Sequence, residues 1–382
     1  MERTLRKTLI FRESEHSSAS MELFTSYHAI TVMYSLLAAG AFVLNGIVLI
    51  IFLATRSLRT IPNMILLSMA WADWLMACLA DAVGAYANAN NWPSMVGGLC
   101  VYYGFITTAL GLTSMIHLTA LSVERFVTVT IPMVRPITET QMLLVVTFLW
   151  AFSFLWAIFP LVGWSSYGPE PGYAACSIAW YRQDLNNMSY ILCLFMFFFF
   201  LPIVIMIACF SSIYFTVRKL TRDSMRRWGA SSDSTQQTLA AERKTAWMSF
   251  IMVLAFLFAW VPYAVVSLYA SFGGVTTIPK LMSTLPAMLA KTSACYNPII
   301  YFFMYSKFRK AFQRFFFKNV IRPSQTGGSS TINSASVIPT SFPRASYAAR
   351  SSSALPSSTA SHSLPGAVNE LNVEYLKTNS AN

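Results

Sequence analysis

Seven apolar runs follow one another along the chain, at 29–54, 62–87, 96–130, 141–162, 189–217, 245–269 and 279–304. Each is near or above the roughly 20 residues a helix needs to cross a bilayer. Inside hydrocarbon every backbone N–H and C=O must be satisfied within the segment, so consecutive runs of this length predict an all-α membrane protein, a bundle of seven transmembrane helices. The basic residues orient it. Arg56 and Arg59 follow the first run, Arg218, Lys219, Arg222, Arg226, Arg227, Arg243 and Lys244 join the fifth to the sixth, and Lys307, Arg309, Lys310, Arg314 and Lys318 follow the seventh. The positive-inside rule then puts the amino terminus outside and the carboxyl terminus in the cytoplasm.

Of the 382 residues, 55% are hydrophobic and 11% charged, a membrane composition when soluble domains carry about 25% charge. The net charge of +12 would suggest nucleic acid for a soluble chain. Here it collects at one face of the bundle, so no nucleic-acid partner is expected. The six cysteines show no metal-ligand spacing, and no Gly-rich phosphate loop or His-Glu-x-x-His pair is present, so neither a metal site nor nucleotide chemistry is indicated. Residues 1–28 carry charges throughout and lack the apolar core of a cleaved signal peptide; they read as an extracellular tail, with the first run as an uncleaved anchor.

Lys291 stands in the middle of the seventh run. It is about 18 Å of helical rise from residue 279, too deep for its stem to reach a headgroup region. An ammonium there costs about 2.5 to 3.5 kcal/mol even on the mild insertion scale. Two readings follow. Desolvation favours the neutral amine, a nucleophile able to condense with an aldehyde; alternatively Lys291 is structural, paired with a carboxylate or helix carbonyls. Asp81 in the second run is a possible partner, and Asn45 and Asp73 are further polar groups at membrane depth that need each other or water.

The sequence Ala290-Lys291-Thr292-Ser293-Ala294, followed by Tyr296-Asn297-Pro298 and Ile300-Tyr301, resembles the seventh helix of the animal opsins, which belong to the rhodopsin-like class of G-protein-coupled receptors. The resemblance covers about 29–322. It implies retinal bound through a Schiff base at Lys291, 11-cis in the dark and all-trans after light, in a pocket including Tyr103, Gly111, Phe256, Trp260, Tyr263 and Ala287. It also implies a disulfide between Cys100 and Cys176, which both lie outside, where the compartment permits one. Cys78, Cys193, Cys209 and Cys295 read as small buried hydrophobes.

Tyr103 stands where vertebrate visual opsins carry a helix-three glutamate, so the resemblance points to an invertebrate or non-visual type. It places the counterion at Glu170, six residues before Cys176, with Asp81 as the alternative; a loop counterion goes with a photoproduct that stays bound and is photoreversible. Glu124-Arg125-Phe126 resembles the class's Glu-Arg-Tyr motif, with Glu242 where related receptors hold that arginine, and Asn45 and Asp73 match its water network with Asn297. Asn297, Pro298 and Tyr301 belong to the switch, and Pro262 marks the kink.

The implied function is a light-activated receptor at the plasma membrane that signals to a heterotrimeric G protein. Photoisomerisation is its chemistry, not turnover of a substrate. Two rivals remain: a retinal photoisomerase, and a receptor for a diffusible ligand that has kept the lysine. Residues 305–322 alternate basic and aromatic side chains as a surface helix on anionic lipid would, matching the class's eighth helix without its palmitoylated cysteine. The Ser- and Thr-rich tail at 323–382 is expected to be disordered and to offer phosphate sites to a receptor kinase and arrestin. Asn187-Met188-Ser189 is a glycosylation sequon on the outer side. Phe126 and Phe210 replace tyrosines of many relatives, and Tyr305-Ser306-Lys307 departs from the tripeptides that mark known coupling types.

Overall fold

The computed structural model describes residues 2–90, 95–131, 137–170, 175–228, 233–273 and 280–317, with side chains from 28 onward except 224–228, 233–239, 241–242 and 280–283. The tail at 323–382 lies outside them. Six helices in this set are long and apolar enough to cross a membrane: His28–Ala54, Asn63–Ala89, Gly97–Thr130, Glu139–Leu161, Leu185–Asp223 and Arg243–Ser271. The helix Lys280–Met304 completes the bundle as the seventh, and Ser306–Phe317 follows as an eighth. The backbone of helix one runs back to Glu2, so the expected amino-terminal tail is helical here. The backbones of helices five and six run on to Trp228 and back to Asp233, well past the apolar edges read from the sequence.

Two helices contain a wide π turn, at Ala77–Asp81 in helix two and Met196–Phe200 in helix five. Each takes in about one extra residue and so re-aims everything beyond it. Pro262 lies inside helix six, and Pro286 and Pro298 inside helix seven, where each removes a backbone donor and frees a carbonyl. Helix ends are fixed locally. Thr138 and Gln141 form a reciprocal capping box on helix four, and Asp184 accepts from the Asn187 N–H at the start of helix five, a bond that holds its carboxyl below the usual range.

Outside the membrane, β1 (Tyr167–Pro169) pairs antiparallel with β2 (Cys176–Ile178), Tyr167 opposite Ile178 and Pro169 opposite Cys176. The Cys100–Cys176 disulfide, with Cα atoms 5.3 Å apart, ties this hairpin to helix three. Gly104 makes the seating possible: a Cβ there would come within 2.7 Å of the Tyr167 ring. The Tyr167 hydroxyl then donates to the Ala157 carbonyl at 2.7 Å, so the hairpin is anchored on helix four as well. The main apolar core joins helices one, two, three, six and seven to the eighth through Phe52, Met69, Leu118, Met252, Tyr301 and Phe308.

Candidate functional site

A cavity beneath the hairpin is lined by Tyr103, Gly111, Phe256, Trp260, Tyr263, Ala287 and Lys291, together with Glu170 from the loop and the aromatic rings Phe195, Phe198 and Phe199 of helix five. The structure thus brings together the pocket residues expected from the sequence. Its floor is Trp260, stacked on Phe256 with ring centroids 5.4 Å apart and donating from Nε1 to Ser293 Oγ at 3.0 Å. Gly111 faces that indole. A Cβ at this position would stand 3.0 Å from Trp260, so the glycine keeps room where a ligand's length would be decided.

At the other end Lys291 Nζ donates to Asp81 Oδ1 at 3.0 Å, both side chains almost fully buried. The rings of Tyr103 and Tyr34 lie 5.1 and 5.6 Å from Nζ, within range of a cation–π attraction, and the Tyr103 hydroxyl donates to that of Tyr34 at 3.4 Å. Two opposite charges at this distance in a dry site stabilise one another only if neither is stranded. Asp81 Oδ2 has no hydrogen-bond partner among the described residues, so half of this carboxylate's capacity is still open.

The acid in contact with Lys291 is therefore Asp81, the alternative, and not Glu170, the expected counterion. Glu170 does not reach Lys291; its Oε1 accepts from the Tyr263 hydroxyl at 2.8 Å, and Trp180 Nε1 donates to the same hydroxyl at 3.0 Å. Burial pushes the Glu170 carboxyl above the usual carboxylate range, against the opposing pull of Tyr263, Ser177 and the Lys291 charge. The physical reason for the Asp81 contact is the wide turn in helix two. On a regular helix, at about 100° per residue, the eight steps from Asp73 to Asp81 leave the two about 80° apart. One extra residue taken into the turn at Ala77–Asp81 holds Asp81 back by about 100°, which puts both acids within roughly 20° of one line. Both accordingly face helix seven. Asp73 accepts from Asn297 Nδ2 at 2.9 Å and from Ser114 Oγ at 3.1 Å, while Asn45 Nδ2 donates to the Ala294 carbonyl at 2.8 Å.

At the cytoplasmic end Arg125 Nε and Glu124 Oε2 form a buried pair at 2.6 Å, and Thr128 Oγ1 donates to Glu124 Oε1 at 3.0 Å. The side chain of Glu242, expected as the second partner, lies outside the described residues. Pro298 lies in the last turns of helix seven, and Tyr301 beyond it is fully buried, its ring 6.2 Å from Phe308. The sequon at Asn187 is corrected. This residue is fully buried, its Nδ2 donates to the carbonyls of Ala179 and Arg182 and its Oδ1 accepts from Ser165, so no nitrogen is left for a sugar in the folded chain.

Three features had no sequence signal. Tyr34 is one of several aromatics in the first run, and nothing marks it as the neighbour of Lys291. The hairpin strands, of three residues each, are too short for an alternating pattern. His117 is fully buried in helix three, its Nε2 2.9 Å from Ser68 Oγ, which also accepts from Trp150 Nε1 at 2.8 Å; a lone histidine gave no hint of this chain.

The residues 44–301 match the family model described as 7 transmembrane receptor (rhodopsin family). Pinopsin of Columba livia is 32% identical over 74% of this chain and 79% of its own length. Melanopsin-A of Gadus morhua is 32% identical over 70% of this chain, and the match spans 48% of that relative's length. The crystal structure of squid rhodopsin superposes with a TM-score of 0.71 at 30% identity, covering 78% of this chain and 87% of that one. The bundle, the bridged hairpin and these likenesses agree: the chain is a multi-pass membrane protein that belongs to the rhodopsin family of seven-transmembrane receptors and, within it, to the animal opsins of the non-visual or invertebrate type.

Proposed function

We propose that this opsin is a light-activated receptor of the plasma membrane, amino terminus outside, that holds retinal on Lys291 and signals to a heterotrimeric G protein. One observation carries the reading: Lys291 Nζ lies 3.0 Å from a buried carboxylate at the end of a cavity walled by aromatic rings. Retinal, when bound, supplies a polyene whose shape changes with light, joined to the lysine as a Schiff base. The chain's own residues do the rest. Asp81 holds positive charge at Nζ, and opposite charge within hydrogen-bond reach favours the protonated form. Tyr34 and Tyr103 screen that charge with their ring faces and exclude water from it. Glu170, kept by Tyr263 at the lid, is a second acid within the same cavity. Trp260 and its bond to Ser293 couple the cavity floor of helix six to helix seven, so a change of shape above it biases the position of helix six against the Arg125 end. The buried Arg125–Glu124 pair favours signalling over isomerase duty, because a photoisomerase has no need of a charged switch at the cytoplasmic end.

The test is spectroscopic. The chain regenerated with 11-cis-retinal is expected to show a pigment band that responds to pH, with the response altered more by Asp81→Asn than by Glu170→Gln. A band untouched by Asp81→Asn and abolished by Glu170→Gln would return the counterion to the loop. Light-dependent nucleotide exchange on an added G protein checks the signalling half.

A further inference from the structure

Helix six packs closely along helix seven but touches helix five sparingly, and between five and six the cytoplasmic half opens into a cleft of about 1550 Å³. Its two walls have the same pattern. On helix five, Ile203, Ile207, Tyr214, Arg218 and Arg222 recur at helical spacing, so one stripe runs from apolar to basic toward the cytoplasm. On helix six, Leu257, Leu254, Phe250, Trp247 and Arg243 descend in the same way, with Lys244 beside the last. Four cations therefore converge at the mouth of a slot that is otherwise apolar.

The slot is open to lipid. Tyr214, Trp247 and Leu254 are each about half exposed or more, and Arg218, Arg222 and Arg243 are exposed as well. Among the described residues no carboxylate lines the cleft, and none of the three arginines forms an ion pair; Lys244 donates to Ser306 Oγ at 2.9 Å. From Ile203 to Arg218 the wall is roughly 22 Å long at 1.5 Å per residue, more than the depth of one leaflet of a 30 Å hydrocarbon core.

A flat lipid-facing surface would hold a disordered annulus of any lipid. Two diverging helices with matched stripes instead present a space that fits a single chain beneath a fixed headgroup position. We propose that this cleft is a binding site for an anionic phospholipid of the cytoplasmic leaflet, one acyl chain lying between Ile207 and Leu254 and the phosphate held by Arg218, Arg222 and Arg243. The charge complementarity names the occupant: three guanidinium forks suit phosphate oxygens, and a headgroup without net negative charge would offset its phosphate with a cation of its own. The site is separate from the pocket around Lys291 and does not depend on what that pocket holds.

The full chain in nanodiscs of phosphatidylcholine, with a trace of phosphatidylserine carrying a diazirine in its acyl chain, tests this. After photolysis the label is expected on helices five and six within the cleft, and unlabelled phosphatidylserine is expected to compete far better than phosphatidylcholine. Replacing Arg218, Arg222 and Arg243 by Gln should lower that preference by about fivefold per arginine, on the order of a hundredfold together. The control pair Lys307→Gln and Lys310→Gln on the eighth helix should leave it unchanged. Label spread around the bundle overturns the proposal, as does equal competition by phosphatidylcholine, loss of preference in the control pair instead, or a cross-linked second copy of the chain in the cleft. The competition arm uses the unaltered chain, so it decides the matter even if the triple variant folds poorly.

Discussion

Gly104 and Ser211 sit in opposite halves of the bundle, and each faces another element across a seam. At Gly104 the hairpin ring of Tyr167 is so close that a single added carbon would meet it at 2.7 Å. At Ser211 the neighbouring helix stands back and leaves the cleft between helices five and six. The outer half is tied by a disulfide and by side-chain bonds that cross between elements, such as Tyr263 to Glu170 and Lys291 to Asp81. The inner half keeps part of one seam unfilled. A chemical site needs groups held to within fractions of an ångström, whereas a signalling end needs an element with two stable arrangements, and the packing is distributed accordingly.

That contrast can be attacked from either side. The largest effect is expected from Lys291→Ala, which should abolish the pigment formed with 11-cis-retinal; any residual band bound covalently elsewhere would remove Lys291 from its role. Next is Asp81→Asn. Stranding a buried charge costs about 3–5 kcal/mol, so the pH midpoint of the visible band should fall by about two units or more. Glu170→Gln should act less and differently: as pH rises through the raised pKa of Glu170, a second negative charge enters the cavity, and this step alone should vanish from the titration. Cys176→Ser should lower stability by about 2–5 kcal/mol, seen as an earlier thermal transition in detergent. The smallest pair compares the seams directly. Gly104→Ala should cost about 1–3 kcal/mol through overpacking, while Ser211→Leu should stay within about 0.5 kcal/mol. Equal costs at the two positions would mean that the inner seam is closed.

The bundle was legible because each apolar run is long and helical spans are set by bilayer thickness, a constraint that tertiary packing cannot override. Lys291 was legible for the same reason: a cation so deep in hydrocarbon announces a site. What could not be read was which acid meets it. Asp81 was visible as a candidate, but its direction depends on one wide turn in a stretch, Ala77-Cys78-Leu79-Ala80-Asp81, with no proline or glycine to mark it. The burial of Asn187 was hidden in a similar way, since the sequon is local while the carbonyls of Ala179 and Arg182 that use its amide belong to the folded loop. Periodicity locates a residue along an element; it says where the side chain points only while the element stays regular.

The wide turn has a consequence for how this chain tolerates gain and loss of single residues. Removing one residue from 77–81, Ala80 for instance, would let helix two relax to ordinary winding. Asp81 would then swing by about a quarter of a circle, away from helix seven, without any change in its identity. Substitution of the exposed Leu79 should be mild, while the buried Ala77 and Ala80 would be overpacked by any larger side chain. Its length is what the molecule cannot trade.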